Sequence, residues 1–339
     1  MTMLDSIAPN EAVQMYLDDR KPEVTQNTLY EHKCRLNRFL EWSREEGVDD
    51  MNEVTRRTVH AYKQYRADEV APTTLEHEIR TFRIFLRFCE SINGVADGVA
   101  SSLSIPKASR NERSRDVSLS ERRAERILDY LDTYEYASLR HVLFHLLWNL
   151  GCRIGGVRAL NLGDFYEDGP DGPFIEFVHR PDARTPLKNK WRSERKPPIR
   201  DDLRDLLVDY IKQTRHDVTD EYGREPPLTT EQGRPARSTI QRNVYAVTRP
   251  CYYTNECPHD RDLDECEAVG EYNSASKCPS SHSPHALRRG SATRDLNDEM
   301  PEEMASGRLD MSPEVLREHY NAQTEEDKRG LQREFLDNM

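Results

Sequence analysis

Between residues 9 and 95 the apolar positions recur every three to four residues, and no stretch shows the two-residue alternation of a strand. In VTQNTLYEHKCRLNRFLEWSREEG, Leu29, Leu36, Phe39 and Leu40 fall on one helical face. Thr25 offers a cap at its start and Gly47 a stop at its end. Two further helices are predicted, over MNEVTRRTVHAYKQYRADE and TTLEHEIRTFRIFLRFCESING. In the second of these, Leu75, Ile79, Phe82 and Leu86 keep helical spacing before Gly94. The region reads as a small helical bundle.

The pattern then lapses. Residues 96–116 are rich in Ser, contain Pro106 and end in mixed charge, which is the composition of a linker. Beyond it, SLSERRAERILDYLDTY predicts a helix capped by Ser118 or Ser120. The apolar run SLRHVLFHLLWNLGCRIGGVRALNL predicts a helix that breaks at Gly151. PFIEFVH is the clearest strand, and PLKNKWRSERKPPI reads as a turn and a returning strand. DDLRDLLVDYIKQTR and three pieces near 284–298, 312–320 and 324–336 read as helices. The expectation is a mainly α chain with a small β-sheet: a helical domain at 1–105, a linker at 106–116, and an α+β domain at 117–339 that carries a Cys-rich insertion at about 251–282.

Charge sharpens this picture. The chain of 339 residues has a formal net charge of -12, which by itself argues against a nucleic-acid partner. Only ten of its 49 basic residues are lysine, and an acidic, Lys-poor, Arg-rich composition suggests a salt-loving archaeal source. In concentrated salt a distant acidic surface no longer repels DNA, because the Debye length falls to about 3 Å at 1 M. Local patches then decide. Residues 180–200 hold eight Lys/Arg and two acids, HALRRGSATR holds three Arg and no acid, and GCRIGGVRAL holds Arg153 and Arg158 with no acid. A single charge run is usually a solvated face, but three locally basic patches in an acidic chain, two of them free of acids, suit phosphate contacts.

These patches carry a family resemblance. LLWNLGCRIGGVRALNLGDF resembles the first conserved box of the tyrosine recombinases (phage integrases), with Arg153 on the first catalytic Arg. SPHALRRGSAT resembles the second box, with His285 and Arg288 on its His and second Arg. MSPEVLREHYNAQTEEDKR resembles the segment of the nucleophile, with Tyr320 on the catalytic Tyr. The hairpin between the boxes is similar to the one that carries the family's catalytic Lys, here Lys188 with Lys190 as the alternative. Each motif is weak alone; their order and separations make the signal. Two positions depart from the pattern: Gly156 stands where the family carries an acid, and Met311 where it carries His or Trp.

The resemblance implies a helical core-binding domain followed by a tyrosine-recombinase catalytic domain. It implies an enzyme that cuts and rejoins duplex DNA through a 3′-phosphotyrosyl intermediate, in integration, excision or resolution. Lys190, Arg192, Arg195, Arg289 and Arg308 are then candidate DNA contacts, and Arg308 a candidate replacement for the donor lost at Met311. No cofactor is expected for catalysis. The C-terminal helix, with Leu331, Phe335 and Leu336 at helical spacing, is expected to link protomers in a homo-multimer on DNA. The rival readings are a DNA-binding protein with a decayed site and a type IB topoisomerase.

Four of the seven cysteines, Cys251, Cys257, Cys266 and Cys278, crowd before the His285 motif together with His259 and His282. Clustered Cys in a cytoplasmic chain suggest metal before disulfides, so a structural zinc is favoured over reduced cysteines in a polar loop. Cys34, Cys89 and Cys152 read as small buried packing residues. No apolar run approaches the length of a membrane span and no apolar leader opens the sequence, so a cytoplasmic protein is expected.

Overall fold

A computed structural model of the chain describes residues 4–109, 117–271 and 273–317, together with positions 326, 329, 330, 333 and 336. The chain divides into two compact units, 1–115 and 116–339. The first is helical: α1 (Pro9–Arg20), α2 (Gln26–Glu45), α3 (Arg56–Glu69), α4 (Pro72–Ser91) and the short α5 (Val99–Ser102). Thr25 caps α2 by accepting from the Thr28 N–H, and Thr55 and Thr58 satisfy each other's backbone reciprocally at the start of α3. The apolar faces meet in an aromatic cluster in which the Phe39 and Phe82 rings lie 4.7 Å apart and Tyr62 packs edge-on against both. Leu36 and Phe39 are buried as the spacing predicts. Cys34 is exposed, contrary to expectation: it falls on the outer face of α2, away from that stripe.

The second unit is built around α7 (Leu139–Leu150), which is buried along nearly its whole length. A helix this apolar on every side needs neighbours all round. It has them in α6 (Glu121–Tyr134), α9 (Asp201–Gln213), α10 (Arg237–Val247) and α13 (Pro284–Asn297). Gly151 stops α7 in the left-handed conformation, φ 53°, and a Cβ there would reach 2.8 Å from Ser291 Oγ and overlap Leu309. The break releases the chain through Arg153 into the short α8 (Ile154–Ala159).

The predicted ribbon forms only in part: of PFIEFVH only Phe174 and Ile175 are regular strand, their ladder partner is a segment not predicted as a strand, and the predicted returning segment forms no regular strand. β1 (Phe165–Tyr166) and β2 (Phe174–Ile175) are antiparallel, and the returning segment pairs through single bridges at Phe174–Pro198 and Phe177–Arg195. Pro173, Pro197 and Pro198 lack the N–H a ladder needs, so the ribbon does not lengthen into regular strands. Between its arms lies a turn that includes a 3-10 segment, Lys190–Ser193. The later helices are α11 (Pro250–Thr254), α12 (Glu267–Gly270), α14 (Glu302–Leu309) and α15 (Pro313–Val315). Tyr320 and most of the expected helix at 324–336 lie outside the described residues. Among the described residues no helix is long and apolar enough to cross a membrane.

Candidate functional site

The site grows from three chain crossings. At the first, the end of α7 meets α13: Arg288, only 1% exposed, donates from Nη1 to the Gly151 carbonyl at 2.7 Å. Gly290, two residues further, lies so close to the Leu119 carbonyl and the Trp148 ring that a Cβ would stand 2.8 Å from that ring. The motif HALRRGSAT is therefore locked against the helix that ends in GCR.

At the second crossing the turn after α14 reaches back. Asp310 adopts the left-handed conformation, φ 56°, which Asp tolerates better than most residues. Arg153 Nη1 donates to the Asp310 carbonyl at 3.0 Å and to its Oδ2 at 2.7 Å. Arg288 Nη2 reaches the same carbonyl at 3.5 Å. The two arginines singled out in the sequence thus converge on one residue.

The third crossing brings in the ribbon. Asn189 Nδ2 donates to Asp310 Oδ1 at 3.0 Å and Ser193 Oγ to Oδ2 at 2.8 Å. Lys188, Lys190 and Arg192 are exposed on the same turn. Asn189, Arg192, Arg195, Ser306, Gly307, Asp310 and Met311 line an open groove beside it. His285 is exposed in the first turn of α13, and Arg289 behind it is 8% exposed.

Not every expected contact faces outward. Arg195 lies over the Phe177 ring at 4.1 Å and donates to the Arg308 and Ser193 carbonyls. Arg308 donates to the Pro198 and Asn149 carbonyls. Burial lowers both guanidinium pKa values, although the adjacent carboxylates (Asp310 for Arg195, Asp295 for Arg308) oppose it. Both side chains brace the ribbon and α14 against the α7 terminus. Met311 packs among Leu309, Leu316 and Ala305, a hydrophobic role that its side chain suits.

Sequence reasoning missed Asp310, Asn189 and Ser193. The only signal was an acid directly before Met311, in a segment otherwise read for its aromatic donors. It also missed a cleft where Arg158, Arg184, Arg224 and Arg234 surround Asp220. Burial pushes the Asp220 carboxyl up, but hydrogen bonds from the Arg224 and Tyr222 backbone and from the Arg224 and Arg234 guanidinium groups outweigh it, leaving a pKa of about 2.

In the Cys-rich segment no three His, Cys, Asp or Glu side chains converge as a metal shell requires, among the described residues. All four cysteines are free and partly buried, and His259 bonds Ser280 Oγ at 2.9 Å. Burial raises the Cys251 thiol pKa; Arg249 opposes the shift, and Cys278, Cys257 and Cys266 add to it. The expected zinc therefore finds neighbouring thiols but no assembled ligand set.

Comparison with known proteins places the fold. No family model matches the chain, and no curated protein does. Among solved structures, a fragment of the Tn1549 transposon integrase in complex with a circular intermediate DNA matches 97% of this chain and 100% of its own, with a TM-score of 0.60 and 14% identity. A lambda integrase tetramer bound to a Holliday junction matches 91% of this chain and 78% of its own, with a TM-score of 0.60 and 14% identity. The N-terminal domain of a phage integrase/site-specific recombinase from Haloarcula marismortui matches 30% of this chain and 99% of its own, with 27% identity and a TM-score of 0.30. The two long matches establish the fold: mainly helical, with a small sheet, as in these integrases.

Proposed function

We propose that the chain is a site-specific DNA recombinase acting through a 3′-phosphotyrosyl intermediate. The observation that carries this reading is the meeting of Arg153 and Arg288 at Asp310, beside the cationic turn at 188–192, within an integrase-like fold. Two guanidinium groups from different helices, next to exposed lysines, suit the non-bridging oxygens of one phosphodiester.

In this reading Tyr320 Oη attacks the scissile phosphorus. A P–O(Tyr) bond forms as the P–O5′ bond breaks, and Lys188, or Lys190 in its place, gives the leaving oxygen its proton. One phosphodiester is exchanged for another, so rejoining needs no ATP. Arg153 and Arg288 hold the phosphate, and His285 orients it or helps to take the Tyr proton. The lambda and Tn1549 structures are DNA complexes, the first a tetramer, which supports duplex DNA as the partner and a homo-multimer as the working form. We extend this to protomers linked through the C-terminal helix.

The test uses duplexes selected from a random pool for binding in high salt, each then nicked beside the protected centre. A covalent protein–DNA adduct that vanishes in Tyr320→Phe supports the recombinase. Selective binding with no adduct from either form overturns it in favour of a DNA-binding module. Relaxation of any supercoiled plasmid, regardless of sequence, overturns it in favour of a type IB topoisomerase.

A further inference from the structure

Arg153 opens a helix, IGGVRA, that contains no acid. Whatever orients its guanidinium comes from elsewhere in the chain. Gly156 also leaves little room for a larger residue on that helix: a Cβ there would stand 3.1 Å from the Phe177 ring.

The orienting group is the Asp310 carboxylate, and it is itself held before it holds anything. Its side chain is 12% exposed. Asn189 fixes Oδ1 and Ser193 fixes Oδ2, while the Ser193 hydroxyl accepts from the Asn189 N–H at 3.1 Å, closing a small network at the ribbon turn. Against this fixed acceptor Arg153 places Nη1 alone. Its Nε and Nη2 carry no hydrogen bond among the described residues, and its side chain is 32% exposed. One corner of the guanidinium is clamped and the opposite edge is left for a second acceptor. A planar fork fixed in this way loses less freedom when it binds a phosphate than a free arginine does.

We propose that Asp310 is a positioning residue: braced by Asn189 and Ser193, it clamps Arg153 by Nη1 so that the Nε–Nη2 edge is set for an incoming phosphodiester. The inference rests on the recombinase reading for the identity of that phosphate. The competing role is a blocking one, in which the carboxylate occupies the phosphate's own seat and must leave. The two roles predict opposite effects on rate when the charge is removed.

Single-turnover cleavage of the selected nicked duplex is measured for the wild type, Asp310→Asn, Arg153→Lys and the double variant, with duplex affinity and melting temperature measured on each. The expected result is a cleavage rate about 10²-fold lower in Asp310→Asn at saturating DNA, since misplacing a positioned group by about 1 Å costs that much. Affinity and melting temperature stay near wild type. The double variant is no slower than Arg153→Lys, because Asp310 acts only through that guanidinium. Faster cleavage by Asp310→Asn overturns the proposal in favour of blocking, and additive losses overturn it in favour of an independent role. If Asp310→Asn fails to fold, the double substitution Asn189→Ala, Ser193→Ala frees the carboxylate instead, and a slower, Arg153-dependent rate is again required. If the wild type forms no adduct, the recombinase reading fails by itself. The clamp is then read from NMR of the Arg153 guanidinium: slow Cζ–Nη1 rotation that becomes fast in Asp310→Asn supports it, and equal rotation in both overturns it.

Discussion

Arg288 and Gly151 are joined by a 2.7 Å hydrogen bond from a guanidinium with almost no solvent exposure to the carbonyl that ends a helix. The bond depends on two features of the glycine. Its φ of 53° turns the chain at the helix end, and its missing Cβ lets Leu309 and Ser291 close over it. Gly151→Ala should therefore cost stability twice, through the left-handed backbone and through overlap, for a total of about 2–4 kcal/mol. Urea denaturation checks the magnitude. Cleavage activity should fall further than the stability loss explains, since the same displacement shifts Arg153 and Arg288 together. An alanine variant with wild-type stability would show that the close approach relaxes at no cost.

In the N-terminal unit the Arg66–Glu78 pair is nearly buried, with the two side chains 7% and 9% exposed, and bidentate, with contacts of 2.8 and 3.2 Å. Removing one partner of such a pair leaves an uncompensated charge and typically costs about 3–5 kcal/mol. Arg66 also reaches Glu69, so Glu78→Gln should fall at the low end, near ~3 kcal/mol. The joint change Arg66→Met, Glu78→Met should restore much of the loss, because no charge is left stranded. Hydrogen exchange of the α3 and α4 amides in the full chain reads the difference. Equal losses in the single and joint variants would refute the argument.

The helices were legible where burial imposes a period. Thr25, Leu36 and Phe39 mark α2 on paper as they do in space, and Gly151 marks the break after α7. α10 was missed because its buried face is a thin line, Ile240, Val244 and Val247, set in polar sequence. α14 buries only Ala305, Ser306 and Leu309. The ribbon was overread: PFIEFVH has the composition of a strand, but the flanking prolines withhold its partners. The convergence of Arg153 and Arg288 could be expected from motif order. The Asp310 network could not, because bonds that span 121 and 117 positions leave no periodic trace. Nor does a count of cations show that Arg195 and Arg308 turn inward to carbonyls.

Acid should weaken the C-terminal unit through α7. His141 is 3% exposed, and burial, helped by the neighbouring His145, lowers its pKa to about 4. In the unfolded chain an imidazole protonates near 6.5. Between these values the unfolded state binds the extra proton. The contribution of neutral His141 is therefore complete above about pH 6.5 and is lost as pH falls toward 4, at roughly 1.4 kcal/mol per pH unit. His145 is shifted the same way, chiefly by burial. Melting at pH 7 and pH 5 should show a drop that is smaller in His141→Phe, whose ring keeps the bulk without the titration. An identical drop in both proteins would assign the acid sensitivity to other groups.

Arg123 should govern the order of the Cys-rich segment. From α6 its guanidinium donates to the Thr248 and Ser280 carbonyls at 2.5 and 2.6 Å and to Tyr253 Oη at 2.9 Å. It thus ties both ends of the segment to one helix. Thr248 and His282 are also bonded to each other there, at 2.8 and 3.2 Å, just before the Ser283 that caps α13. A hydrogen bond from a charged donor is worth about 1.5–3 kcal/mol, and the three made by Arg123 are part-buried, so their joint loss should loosen the segment. In Arg123→Ala, protease cleavage between 255 and 280 should accelerate while the α7 core stays protected from exchange. His282 gives a second reading: burial first, then the Arg123 charge, lowers its pKa, so the variant should bring it back toward the ordinary value. Proteolysis and a His282 titration unchanged from wild type would mean that the segment is held by something other than this guanidinium.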